Sequence, residues 1–183
     1  NISQDELRTI PTYNKKNIST NAYKVLDAPE LKDDFYLHLI DWSSSNRLAV
    51  GLRDKVYIWE GKESSVTELE DYSKFNIITS VSWLPDGDKL VVGLLNGDID
   101  VYDIETGNNI NSYSDCERRV GVVSPIPTEK NIFSTGSLSS EIITYDIRRL
   151  VDHANSLIIT LGFFELIQYF RSFHKNIRII LRK

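Results

Sequence analysis

Residues 36 to 148 lack the three-to-four-residue spacing of apolar side chains that marks an amphipathic helix. Their apolar positions come in short runs or in alternation, as in Asp98-Ile99-Asp100-Val101-Tyr102, where side chains switch faces at every step. Polar clusters such as Ser43-Ser44-Ser45-Asn46 and Pro85-Asp86-Gly87-Asp88 separate the runs. Strand, turn and strand is the consistent prediction, with strands over Leu37 to Trp42 and over Ser80 to Trp83 that carry aromatics inward. Asn96-Gly97 predicts a tight hairpin, because both residues tolerate positive φ.

The pattern recurs. LAVGLRDKVYIW (Leu48 to Trp59), LVVGLLNGDIDVYD (Leu90 to Asp103) and IFSTGSLSSEIITYD (Ile132 to Asp146) align. Their glycines Gly51, Gly93 and Gly136 stand 42 and 43 residues apart, Trp42 and Trp83 stand 41 apart, and Trp59, Tyr102 and Tyr145 follow at intervals of 43. A period in the low forties matches the four-stranded blade of a WD40-type β-propeller. The predicted fold is therefore all-β, an incomplete propeller of about three blades over residues 36–149, preceded by a lead-in segment over 1–35. Trp42, Trp59 and Trp83 are assigned to packing between and within blades. Asp103 and Asp146, at the WD-motif aspartate position, are expected to cap turns.

The third repeat is the weakest, because Ser124-Pro125-Ile126-Pro127 stands where an aromatic is due and proline cannot donate to a central ladder. Either that strand lies on an edge or its register is disturbed. After Arg149 the repeat stops, and residues 150–183 form a tail of different character. A helix over roughly 154 to 173 is possible there, with Leu161, Phe164, Ile167 and Phe170 on one face, set against the propeller or a membrane interface. The plainer reading is a foreign extension, as a frame change or unspliced sequence would leave. Its apolar stretch is too short and too interrupted to span a membrane.

Charge divides the chain at the same point. Residues up to Arg149 hold 16 basic and 24 acidic side chains, and the remainder holds 5 and 2, which gives -5 overall. That balance argues against a nucleic-acid partner, whose phosphates require a basic face. Cys116, the single cysteine, excludes a disulfide scaffold. The chain has no methionine, so Asn1 is expected to lie inside a longer polypeptide. Three-blade arcs leave two faces open, and such a chain is expected to be marginally stable, aggregation-prone or covered by a partner.

Catalytic chemistry finds no support. His38, His153 and His174 are scattered, no zinc-ligand spacing or phosphate-binding glycine loop exists, and Asp115 and Glu117 flank Cys116 and should raise its pKa. No catalytic, metal or cofactor site is expected.

The stretch KVLDAPELKDDFYLHLIDWSSSNRLAVGL, Lys24 to Leu52, resembles the Fizzy family, the WD-repeat activators of the anaphase-promoting ubiquitin ligase. SVSWLPDGDKLVVGLLNGDIDVYD, Arg119-Val120-Gly121 and STGSLSSEI are similar to that family too, so the resemblance covers about residues 8 to 149. VYIW at the end of the first repeat looks more like the mitotic branch than its later-acting relative. The resemblance implies a non-enzymatic adaptor of nucleus and cytoplasm whose partners are ligase subunits and degron-bearing substrates. The family's amino-terminal docking box and its isoleucine-arginine tail are not visible here, so impaired ligase docking is expected. An inert or scaffolding fragment of a degenerate gene copy is the alternative.

In the family a destruction-box degron lies between the first and last blades, its arginine on an acidic side chain and its leucine in an apolar pocket. The resemblance directs attention to Asp41 as the arginine partner, with Asp33 and Asp34 as alternatives and Phe35, Tyr36 and Leu37 as pocket wall. Asp41 could equally be a hydrogen-bonding residue internal to the blades, and Asp33 and Asp34 a solvated turn. Arg118 and Arg119 could hydrogen-bond across to a neighbouring blade or be a solvated basic pair.

Overall fold

The computed structural model describes residues 22, 24–74 and 76–149, together with the backbone of Asn155–Leu157. Every regular element among them is a strand, and none is a helix long and apolar enough to cross a membrane. β1 (Ile40–Trp42), β2 (Arg47–Leu52), β3 (Lys55–Glu60) and β4 (Val66–Asp71) form one antiparallel sheet in chain order. β5 (Ile78–Trp83), β6 (Lys89–Leu94), β7 (Ile99–Asp103) and β8 (Asn108–Tyr113) form the second. β9 (Val120–Pro125), β10 (Ile132–Ser137), β11 (Ile142–Asp146) and β12 (Asn155–Leu157) form the third. The forty-odd-residue unit is thus one blade.

β1 and β5 lie side by side, as do β5 and β9, so the first strands of successive blades make the inner rim. The repeated glycine has a packing reason. A Cβ on Gly51 would come within 2.8 Å of Ile78 Cγ2, and one on Gly93 within 2.7 Å of Val120 Cγ1. Ile78 and Val120 are themselves one repeat apart, so each glycine opens its blade to the inner strand of the next.

Two apolar layers fill the spaces between blades. Ala49, Val56 and Ile58 meet Val81, Trp83, Leu90 and Val92 in the first. Leu84, Val91, Ile99 and Val101 meet Val123, Phe133 and Tyr145 in the second. Phe133 stacks on Tyr145 at 5.2 Å between ring centroids. Trp83 is buried in the first layer, and Trp42 and Trp59 meet edge to face at 5.7 Å in a third cluster on the first blade.

The outer faces of the arc are better covered than an open sheet would be. Leu26 and Leu31 of the lead-in pack on Leu48, Val50 and Trp59, and the Lys24 ammonium lies 4.7 Å from the Trp59 ring centroid. On the far face of the third blade Ser134 and Thr144 share a hydrogen bond of 2.9 Å. Their counterparts in the first two blades, Ala49 with Ile58 and Val91 with Val101, are apolar pairs. Two hydroxyls thus replace apolar surface where no fourth blade is described.

The first alternative for the third repeat holds: β9 is an edge strand whose last residue is Pro125, so the missing N–H removes no central ladder bond, and Pro125 stays in register with Phe133. The β9–β10 register shifts only at the other end of the strand, between Gly136 and Ser137. Asn96 keeps a negative φ and only Gly97 becomes left-handed, at φ 102. The expected tail helix lies outside the described residues except at Asn155–Leu157, where the backbone is strand. That segment pairs with β11, which supplies the open edge that a fourth strand requires.

Asp103 and Asp146 cap turns. Asp103 Oδ1 accepts from the N–H groups of Glu105 and Thr106, and Asp146 Oδ1 from the N–H of Arg148. The Arg148 guanidinium holds the Asp146 carboxyl down to about 2 from 3.8, and hydrogen bonds from Ser73, joined by Lys55, do the same for Asp71. A depressed folded-state pKa contributes stability that is full above 3.8 and is lost as pH falls through about 2. An Asp146→Asn variant should therefore show a smaller loss of stability between pH 4 and pH 2 than the parent, followed by circular dichroism; equal losses would contradict the assignment.

Candidate functional site

The approach to the first blade is built by one turn. Asp34 Oδ1 accepts the Tyr36 N–H at 2.9 Å and its carbonyl accepts the Leu37 N–H at 3.1 Å. This side-chain mimic of a turn reverses the chain before β1. It leaves Asp33 exposed, Asp34 half-buried and Phe35 48% exposed, with the Phe35 ring edge-on to Tyr36 at 5.7 Å. Leu37 turns inward onto the layer between the first and second blades.

The chain is then fastened to the second blade. The His38 N–H donates to the Thr79 carbonyl at 3.0 Å and the Val81 N–H to the His38 carbonyl at 2.7 Å. Thr79 and Ser80 hydroxyls both donate to the Val120 carbonyl, at 2.7 and 3.0 Å. Three inner strands are joined in this way at their amino-terminal ends. The joint sets the Arg119 guanidinium 5.7 Å from the Tyr36 ring centroid although the two residues are 83 positions apart. Leu138, 39% exposed, donates its N–H to the Arg119 carbonyl.

Asp41 is engaged elsewhere. Its Oδ1 accepts the Trp42 N–H at 2.9 Å, and its Oδ2 accepts the Trp83 N–H at 2.7 Å and the Ser82 hydroxyl at 3.1 Å. Its carbonyl accepts the Trp83 indole N–H at 3.1 Å. The aspartate ties the first blade to the second. Ionised carboxylates offer about four acceptor positions, and three of these are filled.

The structure thus brings Asp33, Asp34, Phe35 and Tyr36 together at the surface, turns Leu37 into the core and gives Asp41 a scaffold role. Arg119 and Leu138 complete the surface, and local sequence could not have shown it: Arg119-Val120-Gly121 resembles the family, but nothing nearby indicates which blade its side chain meets. For Arg119 neither alternative describes the contact: its Nε is buried without a hydrogen-bond partner, and its guanidinium lies over the Tyr36 ring ahead of β1 instead of bonding across or remaining in solvent. Cys116 is buried, with its Sγ 3.9 Å from the Tyr145 hydroxyl and 4.0 Å from that of Thr135. Burial is the main cause that pushes its thiol pKa up, and the Glu141 and Asp115 charges add to it. Cys116 should therefore react with a thiol-specific reagent only on unfolding; rapid labelling of the native chain would contradict its burial.

The family described as the anaphase-promoting complex subunit 4 WD40 domain matches residues 40–124. FIZZY-RELATED 1 of Arabidopsis thaliana is 38% identical over 147 residues, which is 80% of this chain and 30% of the relative. Meiotic fizzy-related protein 1 of Schizosaccharomyces pombe is 38% identical over 146 residues, 80% of this chain and 34% of the relative. The chain belongs to the Fizzy family of WD-repeat proteins. A crystal structure of a mitotic checkpoint complex includes a chain that matches 76% of this Fizzy-family chain at a TM-score of 0.68 and 36% identity, over 42% of its own length. The WD-repeat protein slp1 of the same yeast is also 38% identical, over 77% of the Fizzy-family chain. The chain spans about a third of the length of these relatives.

Proposed function

We propose that this Fizzy-family chain acts, in nucleus and cytoplasm, as a substrate-recruiting adaptor of the anaphase-promoting ubiquitin ligase in cell-cycle control, in the mitotic branch that VYIW favours. Its part in that task is to bind a degron peptide of the R-x-x-L type at the approach to the first blade. The observation that carries this reading is the Asp33 to Tyr36 turn. The segment that bears the family resemblance also sets an exposed and a half-buried carboxylate in succession beside a solvent-facing phenylalanine.

Recognition would run through ordinary peptide chemistry. A guanidinium binds carboxylates by charge-assisted hydrogen bonds, bidentate where geometry allows, which orients the peptide as well as holding it. The peptide leucine would then lie against Phe35. Asp33 and Asp34 replace Asp41 as the arginine partners in this proposal, since Asp41 already holds three donors. No covalent step is required of the adaptor.

Titration of a fluorescent R-x-x-L peptide tests the reading. An Asp33→Asn, Asp34→Asn chain keeps the turn acceptor but loses both charges, and its affinity should fall about tenfold, as should that of the parent for an arginine-to-alanine peptide. Equal affinities throughout would remove the turn from the site. Absence of any binding would favour the inert or scaffolding alternative.

A further inference from the structure

We propose that Arg119 is a positioning residue for the first-blade turn: from the third blade it stacks on Tyr36 and fixes the orientation in which Phe35 is presented. The inference deepens the peptide-docking reading and rests on it for its functional consequence, although the positioning itself is independent of any ligand.

The argument begins with what a solvated arginine would look like. Such a side chain would keep its polar atoms in water. Arg119 Nε is instead buried and makes no hydrogen bond. Its guanidinium carbon lies 5.7 Å from the Tyr36 ring centroid, inside the roughly 6 Å over which a cation is attracted to an aromatic face. A planar guanidinium can stack on a ring in a way an ammonium cannot. The Tyr36 ring in turn meets Phe35 edge to face at 88° between planes, so the three side chains form one row from the third blade to the exposed phenylalanine.

The backbone of Arg119 is itself fixed, which makes it suitable as an anchor. Its carbonyl accepts the Leu138 N–H at 3.0 Å, and the next carbonyl, that of Val120, holds the Thr79 and Ser80 hydroxyls. Tyr36 stands only two residues before His38, which is bonded to Thr79. Both ends of the stack are thus tied to β5, and the side chains close the gap above it.

Hydrogen exchange and peptide titration on the full chain test the proposal together. An Arg119→Met chain keeps the aliphatic stem and loses the cation; exchange over residues 35–37 should rise about fivefold while the amides of β6 and β7 stay unchanged. Its affinity for the R-x-x-L peptide should fall by a factor of about three to ten. Arg119→Lys retains the charge and should recover at least half of both effects. Tyr36→Leu removes the ring from the other side and should raise exchange at the turn by the same factor, and combining it with Arg119→Met should add nothing. This second route keeps the test valid if Arg119→Met is poorly folded. Unchanged exchange at 35–37 in Arg119→Met, or fully additive effects in the pair, would overturn the positioning role. If the parent chain binds no peptide, the docking reading fails by itself, and the exchange data still decide whether Arg119 holds the turn.

Discussion

Replacement of Asp41 by alanine is expected to destabilise the chain by about 2–4 kcal/mol, because it strands donors that have no other acceptor. The Trp83 N–H points away from β6, whose pairing lies on the other side of β5, and the Asp41 carboxylate receives it at 2.7 Å. Ser82 loses its acceptor in the same step. Hydrogen bonds to a charged group contribute about 1.5–3 kcal/mol each, and a buried donor left unpaired costs a similar amount. Asparagine should recover part of the loss, since its carbonyl oxygen can accept from one donor. Denaturant titration checks both values, and an unchanged midpoint in Asp41→Ala would show that the tie carries no stability. A loss of peptide binding in this variant would accompany unfolding.

Gly97→Ala should be at least as damaging, about 3–4 kcal/mol, for two reasons that add. At φ 102 the residue lies beyond the left-handed region that other residues visit, which alone costs about 1–3 kcal/mol. The new Cβ would also collide with the carbonyl oxygen of Cys116 and come within 2.9 Å of its carbonyl carbon. Backbone cannot rotate aside as a side chain can, so the hairpin between β6 and β7 must separate from the loop before β9. That loop holds Cys116 against Tyr145 and Thr135, and its thiol should become reactive in the native variant. A Gly97→Ala chain with parental stability and a protected thiol would refute this account of the turn.

Much of the fold was legible because its cause is periodic. Recurrent glycines and closing aromatics state where each blade begins to pack on the next, and the strands follow from alternation alone. Pro125 signals an edge position because proline's missing donor is a local property, and β9 is the edge strand of its sheet. What sequence could not show was partnership across a repeat. Asp41 beside an aromatic fits an arginine partner as well as an interblade tie, and only the position of Trp83 separates the two. Arg119 and Tyr36 meet through the joint made by Thr79 and Ser80, which no local pattern encodes. Asn155–Leu157 read as the start of a helix because a three-residue strand has no period; its pairing with β11 decides its shape.

Several of the ties between blades join residues one repeat apart. Asp41 meets Ser82 and Trp83, Ser44 donates to the Pro85 carbonyl, Ser45 to that of Gly87, and Thr79 to that of Val120. The most direct test is a nuclear Overhauser spectrum of the native chain that follows the Trp83 indole proton, whose nitrogen lies 3.1 Å from the Asp41 carbonyl oxygen. Cross-peaks from that proton to the Hα protons of Asp41 and Trp42, with slow exchange against water, are the predicted result. An indole proton in rapid exchange, with no cross-peak to either residue, would contradict the stacking of successive blades in one-repeat register.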